Sequence, residues 1–144
     1  MKVLVQRVKS SKVVVEDAIV GQIEHGLSLL VCLEKGDDLK KVESAAGKIA
    51  SLRVFADDNG KMNLNIEQVQ GEILAISQFT LSWDGKKGNR PSFEKSLEPG
   101  RAKILFHHFC KILSSSAKVE TGEFGSHMEV SILGDGPVTF HLDF

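Results

Sequence analysis

Two short stretches of the chain hold the residues best suited to ester chemistry. Ser77-Gln78-Phe79-Thr80 groups two hydroxyls, an amide and an aromatic ring. If this stretch closes a strand, alternation sends Ser77 and Phe79 to one face and Gln78 and Thr80 to the other. A hydroxyl beside a ring suits stacking on a ribose or base, while polar groups and strand-end N–H groups stabilise a developing oxyanion. The plain alternative is a pair of ordinary strand hydroxyls. The second stretch is Gly136-Pro137, followed by Val138 and Thr139. Gly lets a ligand or another backbone approach closely, Pro offers no N–H, and an X–Pro bond is the usual place for a cis peptide. Its plain alternative is a turn before the last strand.

Other chemistries find less support. His25, His107, His108, His127 and His141 are scattered, and no G-x-S-x-G elbow surrounds a serine, so a Ser–His triad has no carrier. Thr80 as a nucleophile needs an activating base that the sequence does not identify. His107-His108 lacks the i, i+4 spacing of a metal pair and Cys32 and Cys110 stand singly, so no metal and no cofactor is expected. Lys86-Lys87-Gly88-Asn89-Arg90 is a compact basic cluster that either contacts phosphates or is a solvated loop.

These residues need positioning elements. Val3, Val5 and Val8 begin an extended pattern that Val13 to Val15 resume after the polar break at Lys9 to Lys12, which predicts an opening hairpin. Ile19 to Ile23 and Leu27 to Leu33 read as two further strands, the second apolar enough to be covered on both faces. Asp37 or Asp38 caps a helix whose Leu39, Val42, Ala46, Ile49 and Leu52 form one apolar stripe. Asp57-Asp58-Asn59-Gly60 is a turn signal, and Glu72 to Leu81 is the strand that ends in the first stretch. The polar run from Ser82 to Pro99 is the longest loop. A second helix follows over Arg101 to Ser114, and Lys118 to Glu120, His127 to Leu133 and Val138 to Leu142 supply the last strands, with Gly134 to Pro137 turning between the final two.

A length of 144 residues fits one domain, residues 1–144, able to bury a core without disulfides or a metal. The composition, 42% hydrophobic and 26% charged, is that of an ordinary globular protein. A net charge of -1 excludes a general basic field for coating nucleic acid, so any RNA contact must come from a local patch. The two cysteines each sit in an apolar stretch and read as buried thiols. The start, Met1 to Arg7, reads as a first strand and not as a secretory signal, and no apolar run reaches the roughly 20 residues that span a bilayer. A cytoplasmic protein with no membrane contact is expected.

In order along the chain, Gln6-Arg7-Val8, Lys48 to Phe55, Gly60 to Leu64, Ser77 to Leu81, Lys87-Gly88 with Arg90 to Phe93, Val119 to Gly122 with Phe124-Gly125, and Gly136 to Thr139 resemble the D-aminoacyl-tRNA deacylases nearly end to end. The resemblance implies a β-rich α/β fold, with barrel-like mixed sheets flanked by two helices. It also implies a homodimer with sites at the subunit interface, the Ser77 to Thr80 strand of one subunit facing Gly136-Pro137 of the other. The Gly-Pro peptide would be cis and steadied by Arg7. The main-chain wall so formed would exclude an L side chain, leave a D side chain free, and pass glycine. Phe124 and Met128 match positions near the terminal adenosine of the tRNA, with an apolar core role as their alternative. A mechanism assisted by the substrate's 2′-OH or by water is then expected over attack by Thr80. Gly134 stands where many relatives carry Asn, and Asn89 where they carry a basic residue, which weakens the basic patch. Two other readings remain open: a silent relative that binds RNA through the 86–90 loop, and a different hydrolase with Thr80 as nucleophile.

Overall fold

The computed structural model describes residues 1–86 and 88–144. One strand, β1 (Lys2–Val15), organises the sheet. Its Val3, Val5, Val8 and Val13 are buried, as the alternation predicts. The expected break at Lys9 to Lys12 does not form, because β1 runs straight through it. Ser11 is buried in that stretch, and its hydroxyl donates to the Ser131 carbonyl at 3.0 Å, so the polar residue is satisfied inside the sheet. The hairpin instead joins β1 to β2 (Ala18–Ile23) and turns at Glu16-Asp17, both with positive φ.

β3 (Gly26–Cys32) runs antiparallel to the first half of β1 and parallel to β6 (Glu72–Ser77), which is parallel to β7 (Lys118–Thr121). β2 then comes back against β7: a Cβ on Gly21 would lie 2.5 Å from the Thr121 carbonyl oxygen, a separation only glycine permits. The mixed sheet is therefore nearly closed into a barrel. A short hairpin, β4 (Phe55–Ala56) and β5 (Met62–Leu64), turns at the predicted Asp57 to Gly60.

β8 (Glu129–Asp143) pairs antiparallel with β1 over nearly its whole length. The two strands expected on either side of a Gly134 to Pro137 turn are thus one. Gln6 pairs with Thr139 and Val8 with Gly134, so Asp135 to Val138 lie opposite the single residue Arg7. The Gly-Pro stretch is a bulge in a continuous strand, which is how β proteins aim a local segment without ending the ladder.

Both helices cover one face of the sheet. Asp38 caps α1 (Leu39–Ala50), accepting from the Lys41 N–H at 2.9 Å, and Val42, Ala45, Ala46 and Ile49 are buried. Glu98 caps α2 (Pro99–Leu113), with Pro99 in the first turn where its missing N–H costs nothing. Phe106 and Phe109 join Val3, Val5, Leu27, Leu29, Val31, Ile73 and Ala75 in the main core. Leu74 and Ile76 alternate to the inner face with Val8, Val13 and Ile23. Cys32 and Cys110 are free and buried, and burial pushes their thiols up to about 11 and about 12, away from reactivity. Among the described residues no helix is long and apolar enough to cross a membrane.

Candidate functional site

The strand that ends in Ser77 to Thr80 is shorter than its sequence predicts. β6 stops at Ser77, Gln78 turns the chain (φ -143, ψ 79), and Phe79–Ser82 form one turn of 3-10 helix. The expected two-face alternation therefore fails: Ser77, Gln78 and Phe79 line one cavity together, while Thr80 is exposed outside its lining. Two bonds fix the bend. The Gln78 N–H donates to the Val31 carbonyl at 2.7 Å, and the Gln78 side-chain amide donates to the Thr80 hydroxyl at 2.6 Å. A helical turn leaves its first N–H groups without partners inside it. Accordingly, among the described residues the N–H groups of Phe79 and Thr80 donate to no protein acceptor.

The cavity has a volume of about 450 Å³ and opens where the parallel strands β3 and β6 end, the usual location of ligands in such sheets. Its walls are mainly apolar. Phe79 and Phe93 meet nearly edge to face, with centroids 4.9 Å apart, and Phe79 remains 56% exposed. Phe124 forms another wall, held 5.9 Å from Phe106 of the core. Among the described residues the one ionisable group in the lining is Glu98, whose carboxylate is occupied in capping α2 through the N–H groups of Gly100 and Arg101. Among the described residues no histidine lines the cavity. The arrangement can stack a flat aromatic ligand, exclude water and donate backbone N–H groups to a developing negative oxygen.

Gly136, Pro137, Val138 and Thr139 lie on β8 and do not line this cavity. The Gly136–Pro137 peptide is cis, with Gly136 at φ 142. Gly136, Pro137 and Thr139 are exposed, whereas Val138 is partly buried on the main core. Arg7 holds this segment from across the bulge. Its Nε donates to the Asp135 carbonyl at 3.1 Å and sits 3.0 Å from the Asp135 carboxylate, and its Nη1 donates to the Val54 carbonyl at 2.6 Å. Met128 packs on the inner cluster, its sulfur pressed toward Gly122, and is absent from the lining. In the basic cluster Lys86 and Arg90 are exposed, while Lys87 lies outside the described residues.

Sequence reasoning did not single out Leu97, Glu98, Pro99 or Ala102, which complete the cavity. Their signal was faint: Leu97 is an isolated apolar residue at the end of a polar loop, two residues before the Pro that opens a helix.

The family model described as D-Tyr-tRNA(Tyr) deacylase matches residues 4–143. The D-aminoacyl-tRNA deacylase of Lactobacillus gasseri is 49% identical over 144 residues, 99% of each chain. That of Thermosipho africanus is also 49% identical, over 99% of this chain and 97% of its own. Among solved structures, the c-Myc DNA unwinding element binding protein superposes with a TM-score of 0.94 at 35% identity, covering 100% of this chain and 99% of its own. A probable eukaryotic D-amino acid tRNA deacylase shares the fold, with a TM-score of 0.82 at 16% identity, covering 99% and 98%.

Proposed function

The chain belongs to the D-Tyr-tRNA(Tyr) deacylase family, and from that membership we propose that it releases D-amino acids from tRNA in a two-subunit site whose chirality filter is main chain. The enzyme is a hydrolase, a D-aminoacyl-tRNA deacylase serving translation quality control.

The observation that carries the mechanism is the bend at Ser77 to Thr80. It presents the free N–H groups of Phe79 and Thr80 beside a cavity walled by Phe79, Phe93 and Phe124. The terminal adenosine stacks against these rings and the ester carbonyl meets the N–H donors. The ester is already activated by its neighbouring ribose hydroxyl, so the 2′-OH or a water completes the attack. Thr80, hydrogen-bonded by Gln78 and lacking a base, acts by position.

Gly136-Pro137 supplies the wall on which an L side chain clashes, whereas a D side chain points away and glycine passes. Such a filter reads chirality by exclusion and tolerates many side chains. Because this wall does not line the cavity of its own subunit, a second copy of the chain brings it. The outer edge of β8 supports that reading, since β8 pairs only with β1 and exposes Val130, Leu133 and Phe140 along its length. A long apolar unpaired edge invites a partner. The enzyme acts in the cytoplasm, with aminoacyl-tRNA as its RNA partner and the Lys86 and Arg90 loop against phosphates. Leu133→Glu tests it: the monomeric variant, folded by circular dichroism, should lose release of D-amino acid. Full activity with intact rejection of the L ester in a monomer would refute the shared site.

A further inference from the structure

A second, smaller cavity shares its walls with the first. Ser82 and Trp83 close the 3-10 turn whose first residue, Phe79, lines the larger cavity. Ser92, Glu94 and Lys95 line the smaller one, while their neighbours Phe93, Ser96 and Leu97 line the larger. The two cavities therefore lie on either side of the same two segments. A 3-10 helix rises about 2 Å per residue, so Phe79 and Ser82 stand roughly 6 Å apart along it. That is the order of one nucleotide step along an extended strand.

The smaller cavity contains a polar group without a partner. Ser82 is 1% exposed, lines the cavity, and among the described residues its hydroxyl makes no hydrogen bond. A buried hydroxyl left unpaired costs free energy, and in native structures such an atom marks a missing ligand or water. Around it stand the Trp83 indole, the carboxylates of Asp84 and Glu94, and the ammonium groups of Lys86 and Lys95. Trp83 is 37% exposed. Lys95 is paired with Asp84 at 2.9 Å, which neutralises both. Lys86 also lines the cavity and, among the described residues, makes no ion pair. At about 270 Å³ the space is smaller than the roughly 300–1,000 Å³ of sites that enclose whole ligands. It suits one base whose sugar and phosphate stay outside.

Resting on the adenosine reading of the larger cavity, we propose that this second cavity binds the nucleotide preceding the terminal adenosine, a cytidine in every mature tRNA end. The base stacks on Trp83. Its exocyclic amine donates to the Glu94 carboxylate, the pairing by which acidic side chains read cytosine. The Ser82 hydroxyl donates to the base's ring acceptors, and Lys86 meets the phosphate. Stacking plus a cationic backbone contact is the general means of holding single-stranded nucleic acid.

Trp83 is the single tryptophan of the chain, so it reports on its own site. The full-length protein is titrated with the dinucleotide cytidylyl-adenosine, with uridylyl-adenosine and with adenosine 5′-phosphate while tryptophan emission is followed. The cytidine dinucleotide should change the emission and bind at least several-fold more tightly than the other two. Ser82→Ala should weaken it several-fold, and Glu94→Gln should abolish the preference over uridine. Trp83→Ala should raise KM for D-aminoacyl-tRNA by roughly 5- to 100-fold, the worth of one base–aromatic stack, with hydrolysis of D-aminoacyl-adenosine unchanged. Equal affinity for all three ligands with silent emission overturns the proposal. So does emission that changes only on dilution of the protein, which assigns the cavity to the second copy. The titration reads binding without turnover: a specific response in a chain that hydrolyses no D-aminoacyl-tRNA condemns the deacylation reading and leaves this site standing.

Discussion

Replacing Arg7 by Ala removes the clamp that joins β1 to the Gly-Pro bulge, and its cost can be worked out from the contacts. Nε is shared between the carbonyl and the carboxylate of Asp135, and Nη1 donates to Val54. Hydrogen bonds to a charged group contribute about 1.5–3 kcal/mol each. The Arg7 side chain is 14% exposed and that of Asp135 31%, so solvent screens the pair and the lower end applies. Two such interactions give a loss of about 3 kcal/mol, which for a chain of this size lowers Tm by roughly 10 °C. Arg7→Lys keeps the charge but cannot reach two divergent acceptors with one ammonium, so it should lose about half as much. The functional consequence is separate from stability. If Gly136-Pro137 is the proposed chirality filter, releasing Asp135 should loosen it, and hydrolysis of the L ester should rise relative to the D ester. Thermal melts are run alongside kcat/KM on both esters of one amino acid on one tRNA. A variant with Tm lowered by less than about 2 °C and an unchanged D-to-L ratio would refute this role for Arg7.

Other perturbations test other parts of the structure. Phe79→Pro removes one free N–H, and Phe79→Ala removes the ring but keeps that N–H; Phe79 opens the 3-10 turn, where a missing N–H is tolerated, and Gln78 lies outside the helical region that a following proline disfavours. The proline variant should be slower than the alanine one in kcat by roughly 10²–10³-fold, as for loss of an oxyanion donor, and equal rates would acquit the N–H. Thr80→Ala should keep most activity, and no acyl-enzyme should be trapped in the wild type; one that is trapped restores the nucleophile reading. Burial tends to raise the Asp37 carboxyl, but hydrogen bonds from Glu34 N–H, the Met1 ammonium and Lys41 outweigh it and hold the value below 3.8. Its stabilisation is therefore full at neutral pH and lost as acid drives the pH down through the folded value. The Tm gap between wild type and Asp37→Asn should be constant from about pH 7 to 5 and shrink below about pH 4. Gly26→Ala would drive its Cβ into the Glu72 carbonyl across the β3–β6 pair, whereas a Cβ on Gly122 would press on the flexible Met128 side chain and touch the Val13 methyls at ordinary contact distance. Denaturant melts should show Gly26→Ala the costlier by at least about 2 kcal/mol.

Both helices were legible because each carries its stripe and a start signal in local sequence: the cap Asp38 before Val42, Ala46 and Ile49, and the first-turn Pro99 before Leu105 and Phe109. The errors fell where distant residues decide. Lys9 to Lys12 looked like a break because nothing nearby announces that Ser131, 120 positions away, satisfies Ser11. Gly134 to Pro137 looked like a turn because its partner Arg7 lies at the other end of the chain. Phe79-Thr80-Leu81 carries strand-forming residues, yet the chain bends there because Val31 takes the Gln78 N–H. Of the candidate residues, Ser77, Gln78 and Phe79, chosen by residue type, and Phe124, added by the resemblance, line the cavity, whereas Thr80, Gly136, Pro137, Arg7 and Met128 do not. The wall from Leu97 to Ala102 was missed, since only the fold brings the start of α2 over the end of β6.

The central claim is that this site hydrolyses the D ester and rejects the L ester by a rigid clash. The most direct measurement is kcat/KM for D- and L-forms of one amino acid on one tRNA. A clash of about 3 kcal/mol corresponds to a preference of roughly 100-fold or more for the D ester. Equal rates on the two esters, or none on either, would contradict it.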